Sequence, residues 1–145
     1  MSQIGDTYRA HSRLTQLLNE EMLKRRGSLK ELERFRETLN AAFYLLGWSQ
    51  FEYLVRRAAE NLIDDKARSQ TVDQYAWQEL KQNVKGLKVR RRLDLIFHGN
   101  PAVRKSLESD YELRNDIAHD YKKLPKEVRD VSAWLQRLEE LVTKF

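Results

Sequence analysis

Cysteine is absent from the 145-residue sequence, which excludes disulfides, thiolate metal ligands and a cysteine nucleophile. The glycine-rich signatures of nucleoside-triphosphate and dinucleotide sites are absent as well, as is the G-x-S-x-G turn of many serine hydrolases. The three histidines have neither H-x-x-x-H nor H-x-x-E-H spacing, so a metal site has no support. We therefore expect neither a metal nor another cofactor.

Long hydrophobic runs are also missing. The longest, AAFYLLGW, is too short to span a bilayer, which requires about 20 apolar residues. The first residues, MSQIGDTYRAHSR, lack the apolar core of a signal peptide. A cytoplasmic location without a membrane partner is therefore expected.

Glycine and proline are scarce, with five and two copies in 145 residues, and the stretches between them carry apolar residues at helical spacing. No segment has the alternation that is typical of a strand. The pattern predicts an all-α fold, an antiparallel helical bundle of about five to six helices that occupies residues 1–145 as a single domain.

The N-terminal half is predicted to form two helices, the first ending near Gly27. The second begins at the capping-box pair Ser28 and Glu31 and runs to about Asp65, with a bend expected at Gly47. The apolar face of the first helix is predicted to consist of Tyr8, Leu14, Leu17, Leu18 and Met22. The apolar stripe of the second is predicted to consist of Leu32, Phe35, Leu39, Ala42, Phe43, Leu46, Leu54, Val55, Ala58 and Leu62.

Shorter helices are predicted in the C-terminal half, over residues 72–84, 87–97, 101–107 and 110–121. Asn100 and Pro101 suit the cap and first position of a helix, and Ser109 with Glu112 repeats the capping-box pattern. A last helix is expected from Pro125. Its buried side chains are predicted to be Val128, Val131, Leu135, Leu138 and Val142, with Trp134 beside them.

Positive charge is in modest excess, with 27 Lys and Arg against 22 Asp and Glu, a formal charge of +5. The segment KGLKVRRR, residues 85–92, concentrates part of this excess. Its candidate contacts with an RNA backbone are Lys88, Arg90, Arg91 and Arg92. The alternative is a solvated face whose charge Asp94 and nearby acids offset, because most charge runs are of that kind.

The segment ELRNDIAHDY, residues 112–121, holds side chains suited to phosphate chemistry. His119 can take and give a proton near neutral pH, and Arg114 offers a planar, permanently charged fork to two phosphate oxygens. Asn115 precedes His119 by one helical turn, so its amide can hold the imidazole or a phosphate oxygen. These groups are what cleavage of a phosphodiester by an internal nucleophile requires, and RNA carries that nucleophile as its 2′-hydroxyl.

Arg114 and His119 nevertheless point apart, because five residues rotate a helix by about 140°. Two copies related by a two-fold axis bring two such pairs into one cleft, so a homodimer is expected. The plain alternative is that both are surface residues paired with acids of the same segment, such as Asp110, Asp116 and Asp120. Spacing alone favours that alternative.

The segment RNDIAH, residues 114–119, resembles the R-x(4–6)-H signature of HEPN domains, in which a polar residue commonly follows the arginine. GWSQFEYLVRR, residues 47–57, is similar to the W-x-x-F-E pattern that several HEPN groups carry on an earlier long helix. The resemblance covers these two segments and the all-helical layout. It implies a helical bundle that dimerises and, in active members, a metal-independent RNA endonuclease that leaves a 2′,3′-cyclic phosphate and a 5′-hydroxyl.

By this resemblance Arg114 and His119 are the catalytic pair and Asn115 is the supporting polar residue. The residues that would complete the pocket are Ser49, Glu52 and Tyr121. Many such proteins act as toxins or in defence against phage, often beside a nucleotidyltransferase-type antitoxin, which is therefore an expected partner. Other HEPN proteins are inactive, so a module that dimerises and binds RNA, a nucleotide or a protein without chemistry is the alternative.

Individual side chains also have structural interpretations. Glu52 can form an i,i+4 ion pair with Arg56 instead of joining a pocket. Tyr111 and Tyr121 lie near the two ends of the motif and can either stack on a base or pack in the core. A helical scaffold without any RNA role is the third interpretation of the whole chain.

Overall fold

A computed structural model of the chain describes residues 2–24, 28–120, 124 and 130–145. Within these ranges the chain is all-α and has no strand, which confirms the predicted fold class in its coarse form. The helices are α1 (Gln3–Leu23), α2 (Leu29–Arg68), α3 (Gln74–Gln82), α4 (Val89–Phe97), α5 (Pro101–Asp120) and α6 (Val131–Val142), with a 3₁₀ turn at Val84–Gly86.

Capping side chains mark the starts of several helices. Ser2 accepts a hydrogen bond from a backbone amide of α1 at 3.1 Å, and Asp130 accepts one from α6 at 2.9 Å. Asn100 accepts an amide of α5 at 3.3 Å and Pro101 is the first helical residue, as predicted. α2 begins directly after Ser28, which agrees with the capping-box pattern there.

The break predicted between residues 107 and 110 is wrong, because α5 is one helix of 20 residues. Ser109 caps nothing. Its Oγ donates to the carbonyl oxygen of Lys105, four residues earlier, at 3.2 Å, a bond that serine makes inside a helix. The S-x-x-E spacing of Ser109 and Glu112 is therefore a false start signal.

Two other predicted boundaries also differ. α1 ends at Leu23, before the end expected near Gly27, which lies outside the described residues. Asp130 is the N-cap of α6, so this helix begins at Val131 and not at Pro125. Residues 125–129, which include the predicted core residue Val128, lie outside the described ranges.

The residues pack as two compact units, the first formed by Met1–Phe51 with Tyr111–Phe145 and the second by Glu52–Asp110. In the first unit α1 is antiparallel to the start of α2. The hydroxyl of Thr7 donates to Gln50 Oε1 at 2.7 Å, whereas Asn19, near the end of α1, accepts from Arg36, near the start of α2.

α6 packs against both of these helices in the first unit. The Ser2 amide donates to Glu139 Oε1 at 3.0 Å, which joins the start of α1 to the end of α6. The rings of Tyr44 and Trp134 stack with centroids 4.1 Å apart. The predicted core of α6 is confirmed at Val131, Leu135 and Leu138, and Trp134 is buried with them, whereas Val142, also predicted to be buried, is half-buried.

The buried face of α2 is not the predicted stripe. Tyr44, Trp48 and Phe51 are fully buried in the first unit, whereas Phe35 and Leu46 of the predicted stripe expose 51% and 45% of their surface. Among the ten stripe residues only Val55 is fully buried. The two faces are opposite, because residues two apart, such as Tyr44 and Leu46, are rotated by about 200° on a helix. α2 carries apolar residues on both faces, so periodicity alone could not select the buried one.

Gly47 lies on the buried face, and α2 continues as a helix through it. A Cβ atom at Gly47 would lie 2.2 Å from Leu135 Cδ2 and 3.1 Å from Trp134 Cζ3. The glycine thus permits α6 to approach the backbone of α2 closely, a use of glycine that the prediction of a bend did not consider.

The predicted apolar face of α1 is also wrong as a description of its buried side. Leu14 and Leu17 expose 41% and 40% of their surface. The buried residues of α1 are instead Ile4, Gly5, Thr7 and His11. Two of these, Thr7 and His11, are polar, so hydrophobic periodicity does not identify the buried face of α1.

The second unit contains two antiparallel helix pairs. Lys81 and Asp64 form an ion pair at 3.1 Å, and Gln78 donates to the carbonyl oxygen of Ala67 at 3.3 Å, so α3 runs back along the end of α2. α4 and α5 are joined by the ion pairs Arg90–Glu108 and Arg104–Asp94, so they are antiparallel as well. The buried side chains of this unit are Val55, Ala59, Ile63, Ala67, Leu93, Phe97 and Leu107.

Asp73 begins α3 in the second unit and has a lowered pKa. The hydroxyl of Thr71 donates to its carboxylate at 2.6 Å, and the indole Nε1–H of Trp77 donates at 3.0 Å. Both bonds favour the ionised form and hold the pKa below its ordinary value of 3.8. In the ranges described, no helix has both the length and the apolar composition needed to cross a membrane.

Candidate functional site

The last turns of α5 carry the R-x4-H segment in the first unit. Ile117 is buried and fixes the inner face of this part of the helix. Asn115 and His119 lie one turn apart on the opposite face, since each is about 160° from Ile117 on a helical wheel. Arg114 lies at the flank and is half-buried, whereas His119 is exposed.

Aromatic packing holds this segment against α2. The ring of Tyr111, one turn before Arg114, packs against Trp48 with centroids 6.0 Å apart. Trp48 in turn packs against Phe51 at 5.4 Å, and both of these rings are fully buried. Tyr111 therefore has the core contact, one of its two predicted roles. Trp48 of the W-x-x-F-E pattern thus contacts the motif helix, and Phe51 packs against Trp48 in the core.

Arg114 and Asn115 are brought into direct contact. The Nη1 of Arg114 donates to Asn115 Oδ1 at 2.9 Å. A guanidinium can only donate, so the amide oxygen faces the arginine and the two N–H groups of the amide are directed elsewhere. Asn115 thus orients the arginine, and the predicted bond from Asn115 to the imidazole of His119 is not among those of the described residues.

The charge of Arg114 is not matched by an acid in the part of the chain that the structure describes. Its single side-chain partner there is the neutral amide of Asn115, and its Nε is buried without a hydrogen-bond partner. Asp110 and Asp116 therefore do not provide the ion pairs that the surface interpretation expects, while the side chain of Asp120 lies outside the description. A half-buried cation of this kind is suited to an external anion, because burying a charge is unfavourable unless it is paired.

His119 is solvent-exposed and, among the described residues, its ring makes no hydrogen bond. Both ring nitrogens are therefore accessible to a substrate. Tyr121, a predicted supporting residue, lies outside the described residues. The described chain has no group of three or more His, Asp or Glu side chains arranged for a metal ion.

The other two predicted pocket residues lie on α2. Ser49 is exposed in the first unit. Glu52 is half-buried, is the first residue of the second unit and has an interaction partner. The ion pair of Arg56 at 3.1 Å is with Glu60, one turn later on α2.

The basic run of residues 85–92 is partly neutralised within the second unit. Arg90 pairs with Glu108 at 3.4 Å and Arg91 with Asp94 at 3.7 Å. Arg104 of α5 pairs with the same two acids, at 3.7 and 3.0 Å, and so links them into one network. Arg90 and Arg91 thus have the acidic neighbours that the interpretation as an offset charge run expects.

The remaining cations of this run have a different environment. Lys85, Lys88 and Arg92 form no ion pair within the described ranges, and both lysines are exposed. An open cavity of about 470 Å³ is lined by residues 81–87, including Lys85. The available positive charge of the run therefore lies at Lys85, Lys88 and Arg92.

A buried histidine that the sequence did not single out links three helices of the first unit. His11 is only 3% exposed. Its Nδ1 lies 2.7 Å from Ser132 Oγ on α6, and its Nε2 lies 2.8 Å from Asn40 Oδ1 on α2. Its ring packs against Phe43 with centroids 5.2 Å apart. Both nitrogens are satisfied by neutral groups, so His11 acts as a polar core contact.

Comparisons with known proteins found no match to the chain among family models, curated proteins or solved structures.

Proposed function

We propose that this protein is a metal-independent RNA endonuclease of the HEPN type that works as a homodimer. The observation that carries the proposal is the state of Arg114, a half-buried guanidinium held by the neutral amide of Asn115 and lacking an acidic partner among the described residues. An exposed imidazole, His119, lies on the same two turns of α5. A half-buried guanidinium without an acidic partner and an exposed imidazole on the same helix fit binding and cleavage of a phosphodiester better than they fit a role in surface ion pairs.

In the proposed reaction His119 accepts the proton of the 2′-hydroxyl, and the resulting oxygen attacks the adjacent phosphorus. The bond from phosphorus to the 5′-oxygen breaks, which leaves a 2′,3′-cyclic phosphate. The 5′-oxygen takes a proton from the partner subunit's His119 or from water. Proton transfer by such a group contributes about 10²–10⁴-fold to the rate.

Arg114 has the electrostatic role in this scheme. Negative charge grows on the phosphoryl oxygens as the 2′-oxygen attacks, and a guanidinium fixed beforehand stabilises that charge without reorganising. Asn115 positions Arg114 through their 2.9 Å hydrogen bond, and its N–H groups can donate to a phosphate oxygen. Ser49, Glu52 and Tyr121 are proposed to support the pocket.

The homodimer follows from the direction of these side chains. Arg114 and His119 are separated by about 140° around α5, so one copy does not present both to a single phosphorus atom with ease. Two copies related by a two-fold axis present two guanidinium and two imidazole groups to a shared cleft. A strand of RNA would occupy that cleft.

Lys85, Lys88 and Arg92 are proposed to bind phosphates of the substrate. Their charges are not offset by acids in the described ranges, whereas Arg90 and Arg91 already have acidic partners. We therefore assign Arg90 and Arg91 a lesser part in binding RNA than their sequence position predicts. A role as a cytoplasmic toxin or antiphage effector, with a nucleotidyltransferase-type antitoxin as partner, completes the proposal.

The test is an RNase assay on the purified chain in EDTA. The parent should cut labelled RNA to 2′,3′-cyclic phosphate and 5′-hydroxyl ends, and His119→Ala and Arg114→Ala should abolish detectable cleavage. His98→Ala is the matched control, because His98 is an exposed histidine whose one hydrogen bond to a described residue is with the Leu95 carbonyl oxygen, at 2.9 Å. Cleavage by His119→Ala at the parental rate refutes the site.

A non-catalytic module that dimerises and binds RNA, a nucleotide or a protein is the second candidate. Lys85, Lys88 and Arg92 favour this module over a scaffold without any RNA role, because their charges have no acidic partner among the described residues. Arg90 and Arg91, which are paired with acids, do not add to this argument. In the same EDTA experiment this module retains intact RNA with salt-dependent affinity and produces no new ends. A scaffold shows neither retention nor cleavage.

A further inference from the structure

The connection between α3 and α4 in the second unit forms an open cavity of about 470 Å³. We name it the 81–87 cavity after the residues that line it. Its volume lies within the range of about 300–1,000 Å³ that is usual for sites of small ligands, and a single nucleotide belongs to that size class. Among its lining residues, the proposed function assigns a role only to Lys85.

The lining offers partners to each part of a nucleotide. Val84 and Leu87 are half-buried and present an apolar surface that a base can cover. Gln82 is exposed, and its amide can both donate to and accept from the edge of a base. The ammonium group of Lys85, also exposed, can bind a phosphate.

Positive charge remains available at this cavity. Lys81 is already paired with Asp64 at 3.1 Å, so its charge is largely offset. Lys85 and Lys88, one residue beyond the lining, are exposed and form no ion pair within the described ranges. The cavity therefore suits an anion that also carries a flat apolar part. A nucleotide of RNA has both, whereas inorganic phosphate lacks the apolar part.

Tyr75 extends this surface along α3. Its side chain is 78% exposed, and it precedes Gln82 by seven residues, so the two side chains point in nearly the same direction about 10 Å apart along the helix. An exposed tyrosine ring is a stacking surface for a base of any identity. Glu79 is exposed between these two levels and repels phosphate, so we expect stacking and not charge to hold a strand at Tyr75.

Base-paired RNA does not fit these features. The bases of a duplex are stacked inside it, and its accessible groups are mainly phosphates and 2′-hydroxyls. Only an unpaired nucleotide can place its base in the 81–87 cavity and leave a neighbouring base free to stack on Tyr75. The lining therefore favours single-stranded RNA over duplex RNA.

We propose that the 81–87 cavity and Tyr75 form a subsite for unpaired RNA. One nucleotide occupies the cavity with its phosphate on Lys85, and a neighbouring base stacks on Tyr75. The subsite makes single-stranded RNA the substrate class of the proposed endonuclease, and it rests on that function for the identity of the polymer. Its own residues take no part in the chemistry of Arg114 and His119.

Gly86 allows the cavity to be filled without a change of charge. A Cβ at Gly86 meets no atom within 4 Å, so Gly86→Leu should fold and occupy space that the nucleotide needs. Gly99→Leu is the matched control, because a Cβ at Gly99 also meets no atom within 4 Å and Gly99 does not line the cavity. Circular dichroism checks that both variants are folded.

Binding is measured by fluorescence anisotropy with a short labelled oligouridylate, in a His119→Ala background that prevents cleavage. Gly86→Leu and Tyr75→Ala should each raise the Kd by at least about fivefold, the effect of losing one base contact. Tyr75→Phe, which keeps the ring, and Gly99→Leu should bind as the His119→Ala parent does. Gln82→Ala should also weaken binding, so the cavity remains testable if Gly86→Leu does not fold.

Three results would overturn the subsite. Unchanged affinity in Gly86→Leu or Gln82→Ala, or an equal loss in Gly99→Leu, means that no nucleotide occupies the cavity. Unchanged affinity in Tyr75→Ala means that no base stacks there. A labelled RNA duplex that binds as tightly as the oligouridylate, and is weakened equally by Gly86→Leu, means that this surface does not select unpaired RNA.

Cleavage of the same oligouridylate in EDTA by chains that retain His119 separates the subsite from the proposed function. If the parent binds the oligomer through the cavity but does not cut it, the function is wrong and the subsite stands. If the parent cuts it with a KM that neither Gly86→Leu nor Tyr75→Ala changes, the subsite is wrong and the function stands.

Discussion

Replacing Gly47 with alanine tests the close contact between α2 and α6. The added Cβ would lie 2.2 Å from Leu135 Cδ2, whereas carbon atoms in favourable contact are about 3.5–4.0 Å apart. Leu135 is fully buried and Trp134 Cζ3 lies 3.1 Å from the same Cβ position, so Leu135 must move within a packed core.

The expected change in the free energy of unfolding of Gly47→Ala is the difference between two effects. Overpacking a core by one carbon typically destabilises a protein by about 1–3 kcal/mol. Alanine stabilises a helix interior by about 0.5–1 kcal/mol relative to glycine. Gly47→Ala should therefore lower the free energy of unfolding by about 1–2 kcal/mol, or the melting temperature by roughly 3–7 °C for a domain of this size.

Urea denaturation and thermal melting followed by circular dichroism measure this change. Gly86→Ala is the matched control, since a Cβ at Gly86 meets no atom within 4 Å and should be neutral or slightly stabilising. Leu135→Ala completes a double-mutant cycle, in which the Gly47→Ala methyl fills part of the space that Leu135 leaves, so the two losses should be less than additive by about 1 kcal/mol. A Gly47→Ala variant as stable as Gly86→Ala, or strictly additive losses, would refute this account of the α2–α6 contact.

Three other contacts lead to measurable expectations. Asn115→Asp places a carboxylate on the guanidinium of Arg114, so RNA cleavage should fall by about 10²–10³-fold without loss of thermal stability, and a fully active variant would contradict the role of that cation. Lys88→Gln should reduce the slope of log affinity for single-stranded RNA against log salt by about 0.7, whereas Arg91→Gln, whose charge is already paired, should not change it. The lowered pKa of Asp73 means that its ionised form stabilises the fold fully above pH 3.8, and that this stabilisation is lost as the pH falls through the folded-state pKa. The loss of stability caused by Asp73→Asn should therefore become smaller below pH 3.8. An NMR titration midpoint of Asp73 at or above 3.8 would exclude the effect.

Local signals in the sequence predicted the helices well where the cause was itself local. Asn100 and Pro101 set the start of α5, and Ser28 precedes α2, because capping depends on a few neighbouring residues. Ser109 shows the limit of this reasoning. The same side chain can cap a new helix or bond back within an existing one, and only the continuous packing of α5 selects the second.

Within the candidate site, the sequence placed Arg114, Asn115 and His119 on one helix and predicted their directions from its periodicity. It could not show that the amide of Asn115 would bond to Arg114 and not to the imidazole, because both partners are within reach along the chain. The pairing of Arg90 and Arg91 with acids was likewise open, since Glu108 belongs to another helix and is 18 residues from Arg90.

The sequence by itself determined that the chain is helical and where most helices begin, and it singled out three side chains of residues 114–119 as candidates for phosphate chemistry. Only the tertiary structure decided which face of α2 is buried, because that helix carries apolar residues on two opposite faces and periodicity assigns a core to either. The close approach of α6 at Gly47 and the stacking of Trp134 on Tyr44 selected one face. The other face, which carries Phe35 and Leu46, remained largely exposed, because burial depends on contacts between helices that no local pattern encodes.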